Sequence, residues 1–192
     1  MNSLRQVRAI LSHAMLPLAL GNPLLAKSPA TETQRTLQSI LLARTSRGFC
    51  ARLHSMPKAQ STLRQALSHA QSRRDTIRLI ELFQCFPEDP QSETFLNNIA
   101  LGVYPQWKAY RANAVTALLV SQHAHDPSRA LATARHFFVD PDAHVRLRAA
   151  QACATFSGPD SKEALNAYEL SEKNPSNLKN LKSFRLLQSQ RR

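Results

Sequence analysis

Three cysteines, seven histidines and thirteen acids are the residues of this chain with the most obvious capacity for chemistry. Their spacing decides how much they can do. Cys50 and His54 stand four apart, which on a helix places a thiol and an imidazole on one face, the beginning of a nucleophile–base pair. No orienting group or oxyanion site accompanies them. His123-Ala124-His125-Asp126 is the densest polar cluster, yet a metal would need a further ligand from elsewhere. A helix end followed by a capping Asp before Pro127 accounts for the same residues. His136 and His144 flank the turn at 139–142 and read as solvent-facing or helix-end histidines. The carboxylate pairs Glu88-Asp89 and Asp140/Asp142 fall at turns, where capping explains them. Four scattered glycines cannot make a phosphate-cradling loop. Cys50, Cys85 and Cys153 form no CxxC or Cys/His ligand set, and the apolar or small neighbours of Cys85 and Cys153 predict buried free thiols. The sequence therefore predicts a non-enzymatic protein with no catalytic residue, metal or cofactor.

What positions these residues is a set of helices. In Asp140-Pro141-Asp142-Ala143-His144-Val145-Arg146, a tight turn leads into a helix on which Val145, Ala149, Ala152 and Phe156 share one side at helical spacing. Its small residues let another helix come close. The rest of the chain can be laid out as imperfect copies of this helix and the one before it. First helices align on Leu63, Leu96, Leu131 and Leu165, in steps of 33, 35 and 34 residues. Second helices align independently on Ile77, Tyr110, Val145 and Leu181, in steps of 33, 35 and 36. The next position is basic each time (Arg78, Arg111, Arg146, Lys182), and four residues later an apolar side chain follows (Leu82, Val115, Ala150, Leu186). From Pro57 onward the prolines fall where the apolar pattern pauses, as expected of a residue that suits turns and first helical positions. A period in the thirties is the mark of a helical-hairpin solenoid, in which each unit covers its apolar face by stacking on a neighbour. The predicted fold is all-α: an α-α superhelix of about four hairpins plus N-terminal helices, with an irregular helical bundle as the alternative. The units are placed at about 61–85, 91–122, 127–156 and 160–188. Their first helices are expected to start at Ser61, Ser92, Asp126-Pro127-Ser128 and Asp160-Ser161, and their internal breaks at Asp75, Pro105, Asp140–Asp142 and Asn174–Ser176.

The net charge of +12 is concentrated at the ends. Residues 1–74 hold 11 Lys/Arg against one acid, Glu32; residues 75–172 hold 8 against 12; residues 173–192 hold six and no acid. Basic arms attract phosphates, anionic lipid or acidic protein. Residues 1–26 place two arginines before a mostly apolar run, which resembles a secretory signal peptide cleaved after Ala26; a mitochondrial presequence and an amphipathic helix packed on the fold are the other readings. Its uninterrupted apolar run is shorter than the roughly 20 residues a span needs, so no membrane-spanning helix is expected in the mature chain. An exported location, periplasmic or secreted, follows if the segment is removed, and a cytoplasmic or organellar one otherwise. Residues 27–60 are assigned to a linker and capping helices, with a helix from Thr31 or Thr33 to about Arg47 and a short helix or loop over 49–57. Residues 61–188 form the repeat domain and 189–192 a basic tail.

Asp142-x-x-Val145-Arg146-x-x-Ala149-Ala150 resembles the second-helix pattern of HEAT repeats, in the short form found in bacterial proteins. The resemblance covers about two thirds of the chain. It implies that the turn Asp and the helix Arg join a ladder of polar contacts between neighbouring units. Asp142 and Arg146 match that pattern; Asp75 and Arg78 match with one residue missing; Arg111 has Trp107 near the place of the Asp; Lys182 has no Asp. The row Arg78, Arg111, Arg146 and Lys182 then either bridges turns or lines a basic groove. Cys85, Leu118 and Cys153 take equivalent positions, so Cys85 and Cys153 stand two units, about 20 Å, apart, too far for a bridge. The aromatics Tyr104, Trp107 and Tyr110 lie at a turn, where they can anchor a partner or cover a helix end. The resulting expectation is a scaffold or adaptor that binds a protein partner, with Trp107, Tyr104, Tyr110, Arg78, Arg111, Arg146 and Lys182 as candidate contacts. The alternative is nucleic-acid binding through the basic termini.

Overall fold

In the computed structural model, residues 37, 39 and 48–189 are described, the last four by backbone alone. The predicted targeting segment 1–26 and most of the helix expected before Arg47 lie outside them. The described residues belong to one unit, Thr33–Arg192. They are all-α, with no strand among them: α1 (Phe49–His54), α2 (Ala59–Ser68), α3 (Arg73–Leu82), α4 (Pro90–Ala100), α5 (Arg111–His125), α6 (Pro127–Phe137), α7 (Ala143–Thr155), α8 (Pro159–Ser171) and α9 (Pro175–Ser189).

Local chemistry explains the boundaries. Four helices begin with proline, at Pro90, Pro127, Pro159 and Pro175, where the missing N–H is no loss and φ is already helical. Asp89, Asp126 and Asp142 accept hydrogen bonds from the first free N–H groups of α4, α6 and α7, and Asn174 Oδ1 does the same for α9. Some expected starts move by a turn. Ser92 lies buried inside α4 and leaves the capping to Asp89, whose carboxylate reaches two N–H groups. Asp75 lies inside α3, because Ser72 takes the cap: its Oγ accepts from the Asp75 N–H and donates to the Asp75 carboxylate. Ser61 lies one turn into α2, and Ser161 is inside α8, donating to the carbonyls of Phe156 and Gly158. Pro105 opens a 3-10 segment, Pro105–Tyr110, so α5 itself starts at Arg111.

The apolar ladders become the core. Leu63 and Leu96 are wholly buried, and Leu131 and Leu165 nearly so; burying such a side chain contributes about 1.5–3 kcal/mol. In the second ladder Val145 and Leu181 are buried, but Ile77 and Tyr110 are only half-buried. Leu82, Val115 and Ala150 are buried; the side chain of Leu186 lies outside the described residues. Helix α5 is covered on nearly every side, packing against α3, α4, α6 and α7. It meets α7 through Ala-rich surfaces, where Ala114, Ala117, Ala149, Ala150 and Ala152 are buried. The second helices touch in sequence, α3 to α5, α5 to α7 and α7 to α9. That order brings their polar edges together.

Candidate interaction surface

Along that edge the row of basic residues divides. Arg111 opens α5. Its Nε donates to the Ala100 carbonyl at 2.8 Å, closing the end of α4, and its Nη2 pairs with Asp140 in the next turn of the chain. Gly102 lets it through: φ is +76°, and a Cβ there would stand 3.4 Å from Arg111 Cδ. One step on, Arg146 repeats the arrangement. Its Nη1 donates to the carbonyls of Asp140 (2.8 Å) and Pro141 (3.2 Å), while Nε and Nη2 grip both oxygens of Glu172 at 3.0 and 2.7 Å. Each arginine thus ties its own inter-helix turn to an acid in the turn that follows.

Glu172 is the most deeply set acid of the set, its side chain wholly buried. It also accepts from Tyr168 Oη (2.9 Å), Asn177 Nδ2 (2.9 Å) and the Asn174 N–H (2.8 Å). Burial by itself would raise the carboxyl, but the hydrogen bonds from Arg146, Asn177, Asn174 and Tyr168 outweigh it and bring it down to about 2. Burial and the Glu172 acceptor push the Tyr168 phenol well above its ordinary range. Asn177 reaches further, donating to the Ala143 carbonyl at 2.8 Å and so joining α9 to the start of α7.

One feature differs from the sequence expectation. The acids that receive the arginines are Asp140 and Glu172, not Asp142. The Asp142 carboxylate is spent on the His144 N–H at 2.8 Å, leaving Asp140, two residues earlier, to face α5. The guanidinium groups of Arg111 and Arg146 are occupied by these contacts. Arg78 is half-buried on α3 near Glu81, whose carboxyl is raised by burial and drawn back by Arg148, Asn113 and Arg78. Lys182 is exposed.

The aromatics gather at the other side of the α4–α5 connection. Phe95 of α4 lies at their centre, with ring centroids 4.9 Å from Phe83, 5.7 Å from Tyr104 and 5.4 Å from Trp107; Tyr104 and Trp107 meet edge-to-face at 5.3 Å. Tyr104, Trp107 and Tyr110 are half-buried against the core, so they cover the end of α4 and still show part of each ring. Val103 and Leu101 beside them are 56% and 47% exposed, which extends the patch into solvent. Phe95 carried no signal in the sequence beyond lying one residue before the Leu96 ladder position.

The cysteines require a correction. Cys85 is not a free thiol: it is bonded to Cys50, Cα to Cα 5.0 Å, joining α1 to the 3-10 turn Phe83–Cys85 after α3. The expected equivalence of Cys85 to Leu118 and Cys153 said nothing about Cys50, which lies on α1, ahead of the residues assigned to the repeat. Cys50 and His54 do share α1, but the sulfur is engaged and His54 Nε2 lies 2.6 Å from the Cys85 carbonyl, so they form no nucleophile–base pair. Cys153 is free and buried, its thiol pushed up to about 12 by burial. Folded, unreduced protein is therefore expected to take up no thiol-alkylating reagent, and denatured unreduced protein one equivalent. Stoichiometric labelling of the folded chain, read by intact mass, would contradict this arrangement.

The histidines are accounted for singly. His123 stacks on Phe156 with centroids 3.9 Å apart, His125 is exposed, Asp126 caps α6, and His136 and His144 are exposed. Among the described residues no group of three His, Cys, Asp or Glu is placed to hold a metal, and no helix is long and apolar enough to cross a membrane. Compared with protein-family models, curated proteins and solved structures, the chain matches none.

Proposed function

We propose that this chain is a non-enzymatic HEAT-like scaffold, a short α-solenoid of four hairpins that binds a protein partner through its surface. The observation that carries this reading is the repeated arginine clamp. Arg111 with Asp140 and Arg146 with Glu172 make the same kind of bridge one unit apart, as expected where successive hairpins stack in register. The order of contacts α3–α5–α7–α9 supports it. The half-exposed Tyr104, Trp107 and Phe95 supply the rigid apolar anchors from which protein interfaces take much of their energy. An exported, oxidising compartment suits the Cys50–Cys85 bridge.

The nucleic-acid alternative rests on the basic termini, and Arg111 and Arg146, which spend their charge inside the fold, add nothing to it. Its remaining cations lie mainly toward the termini. Capture of partners by the tagged full chain at low and moderate salt separates the two. The scaffold reading expects a stoichiometric protein that stays bound at about 0.2 M salt and is lost with Trp107→Ala or Tyr104→Ala. Loss of all bound material at that salt, together with nuclease sensitivity, would overturn it in favour of phosphate binding.

A further inference from the structure

Beside the aromatic cluster, α2 faces α4 across a groove of about 410 Å³. Arg64 comes from α2, and Gln91, Phe95 and Asn98 from α4, and Tyr104 lines it as well. No Asp or Glu lines it. The Arg64 guanidinium lies over the Phe95 ring, 5.6 Å from its centroid. Its Nη1 makes one long contact, 3.4 Å, to Gln91 Oε1, and its buried Nε has no hydrogen-bond partner. Arg111, Arg129, Arg135, Arg146 and Arg185 each form an ion pair with an acid of this chain; among the described residues Arg64 forms none, and of the arginines without one it is the one that lines this groove.

We propose that this groove binds an extended acidic segment of a partner protein, with a carboxylate on Arg64 and a neighbouring apolar or aromatic side chain on Phe95 and Tyr104. The inference rests on the scaffold reading and names the chemistry of its partner. The Phe95 ring beneath the guanidinium and the contact to Gln91 restrict the side chain, so less rotamer freedom is lost when its outer edge meets a carboxylate. That edge offers paired N–H donors to two oxygens, the geometry that favours carboxylate over other anionic or neutral groups. Gln91 and Asn98 supply side-chain amides that can hydrogen-bond an extended backbone. The volume suits a few side chains rather than a folded domain. Direction is set as well. Pro90 also borders the neighbouring hollow of about 690 Å³, which carries Glu88 and Asp89, so the acidic end of the segment belongs at Arg64 and not beyond Pro90.

The test is selection of short random peptides displayed on phage against the full chain, repeated with Arg64→Glu and Arg64→Gln. The wild type is expected to enrich sequences that place Asp or Glu next to an apolar or aromatic residue. Their affinity should fall about ten- to a hundredfold in Arg64→Gln, and Arg64→Glu should enrich Lys or Arg at the same place. That reversal also reports that the variant has kept its groove. No enrichment, or acidic peptides that bind Arg64→Glu as tightly as the wild type, would overturn the proposal. If Arg64→Glu retains the wild type's protein partner unchanged, the acidic-segment proposal falls and the scaffold stands. If the wild type retains no protein partner, the scaffold falls.

Discussion

Glu172→Ala is expected to cost about 3–5 kcal/mol, because it leaves Arg146 half-buried without its acid and strands Tyr168 Oη and one donor contact of Asn177. Domains of this size are stable by only about 5–15 kcal/mol, so the melting temperature should drop by roughly 8–15 °C. The same site fixes a pH dependence. An unfolded glutamate titrates near ~4.3, while folding holds this one down to about 2. Its stabilisation is therefore fully present above pH ~4.3 and is lost as pH falls through that window toward 2, because the unfolded chain then binds a proton that the folded chain refuses. The contribution is of the order of 3 kcal/mol. Melting curves from pH 7 to pH 3 should show a steeper loss in the wild type than in Glu172→Ala. Parallel curves for the two proteins would rule out this account of the network.

The second large effect is on the disulfide. Closing a loop between residues separated by 35 positions restricts the unfolded chain by about 4 kcal/mol in the chain-entropy description. Cys50→Ser, or reduction of the wild type, is expected to lower the melting temperature by roughly 8–15 °C. A reductant should leave Cys50→Ser unchanged. Leu53 of α1 is fully buried and His54 still reaches the Cys85 carbonyl, so α1 should stay docked but exchange its amide hydrogens faster. A wild type whose melting and α1 exchange ignore reductant would show that the bridge contributes nothing.

Several parts of this architecture were legible in the sequence, for physical reasons. Proline and Asp/Asn mark helix starts by what they lack or accept locally, so Asp126, Asp142 and Asn174 fell where expected, whereas the start expected at Ser92 moved back to Asp89 and Pro90. Leu63, Leu96, Leu131 and Leu165 are buried because an apolar face at helical spacing has to be. The clamp was legible on one side. Arg111 and Arg146 are fixed by their place on a helix, and bridging to turn carbonyls was one of the two roles open to the row. The receiving acids were not legible. Glu172 comes after the last helical turn of α8, and only the three-dimensional course of the chain brings it under Arg146. Asp140 and Asp142 are both turn acids, and which one caps and which one pairs depends on backbone direction. Cys50 and Cys85 lie 35 apart with no spacing rule to join them. Arg64 over Phe95 is a contact between two helices whose separation no local pattern encodes.

Asp140 has a consequence for mechanics. One oxygen of its carboxylate takes Arg111, the other takes the Asp142 N–H, and its carbonyl takes Arg146. Two successive joints are therefore bolted to the same residue. Tilting α5 against α7 would disturb the seat from which Arg146 reaches Glu172, so a load applied at one joint is handed to the next. This stretch of the molecule should respond to force as a single stiff plate rather than as beads on a string.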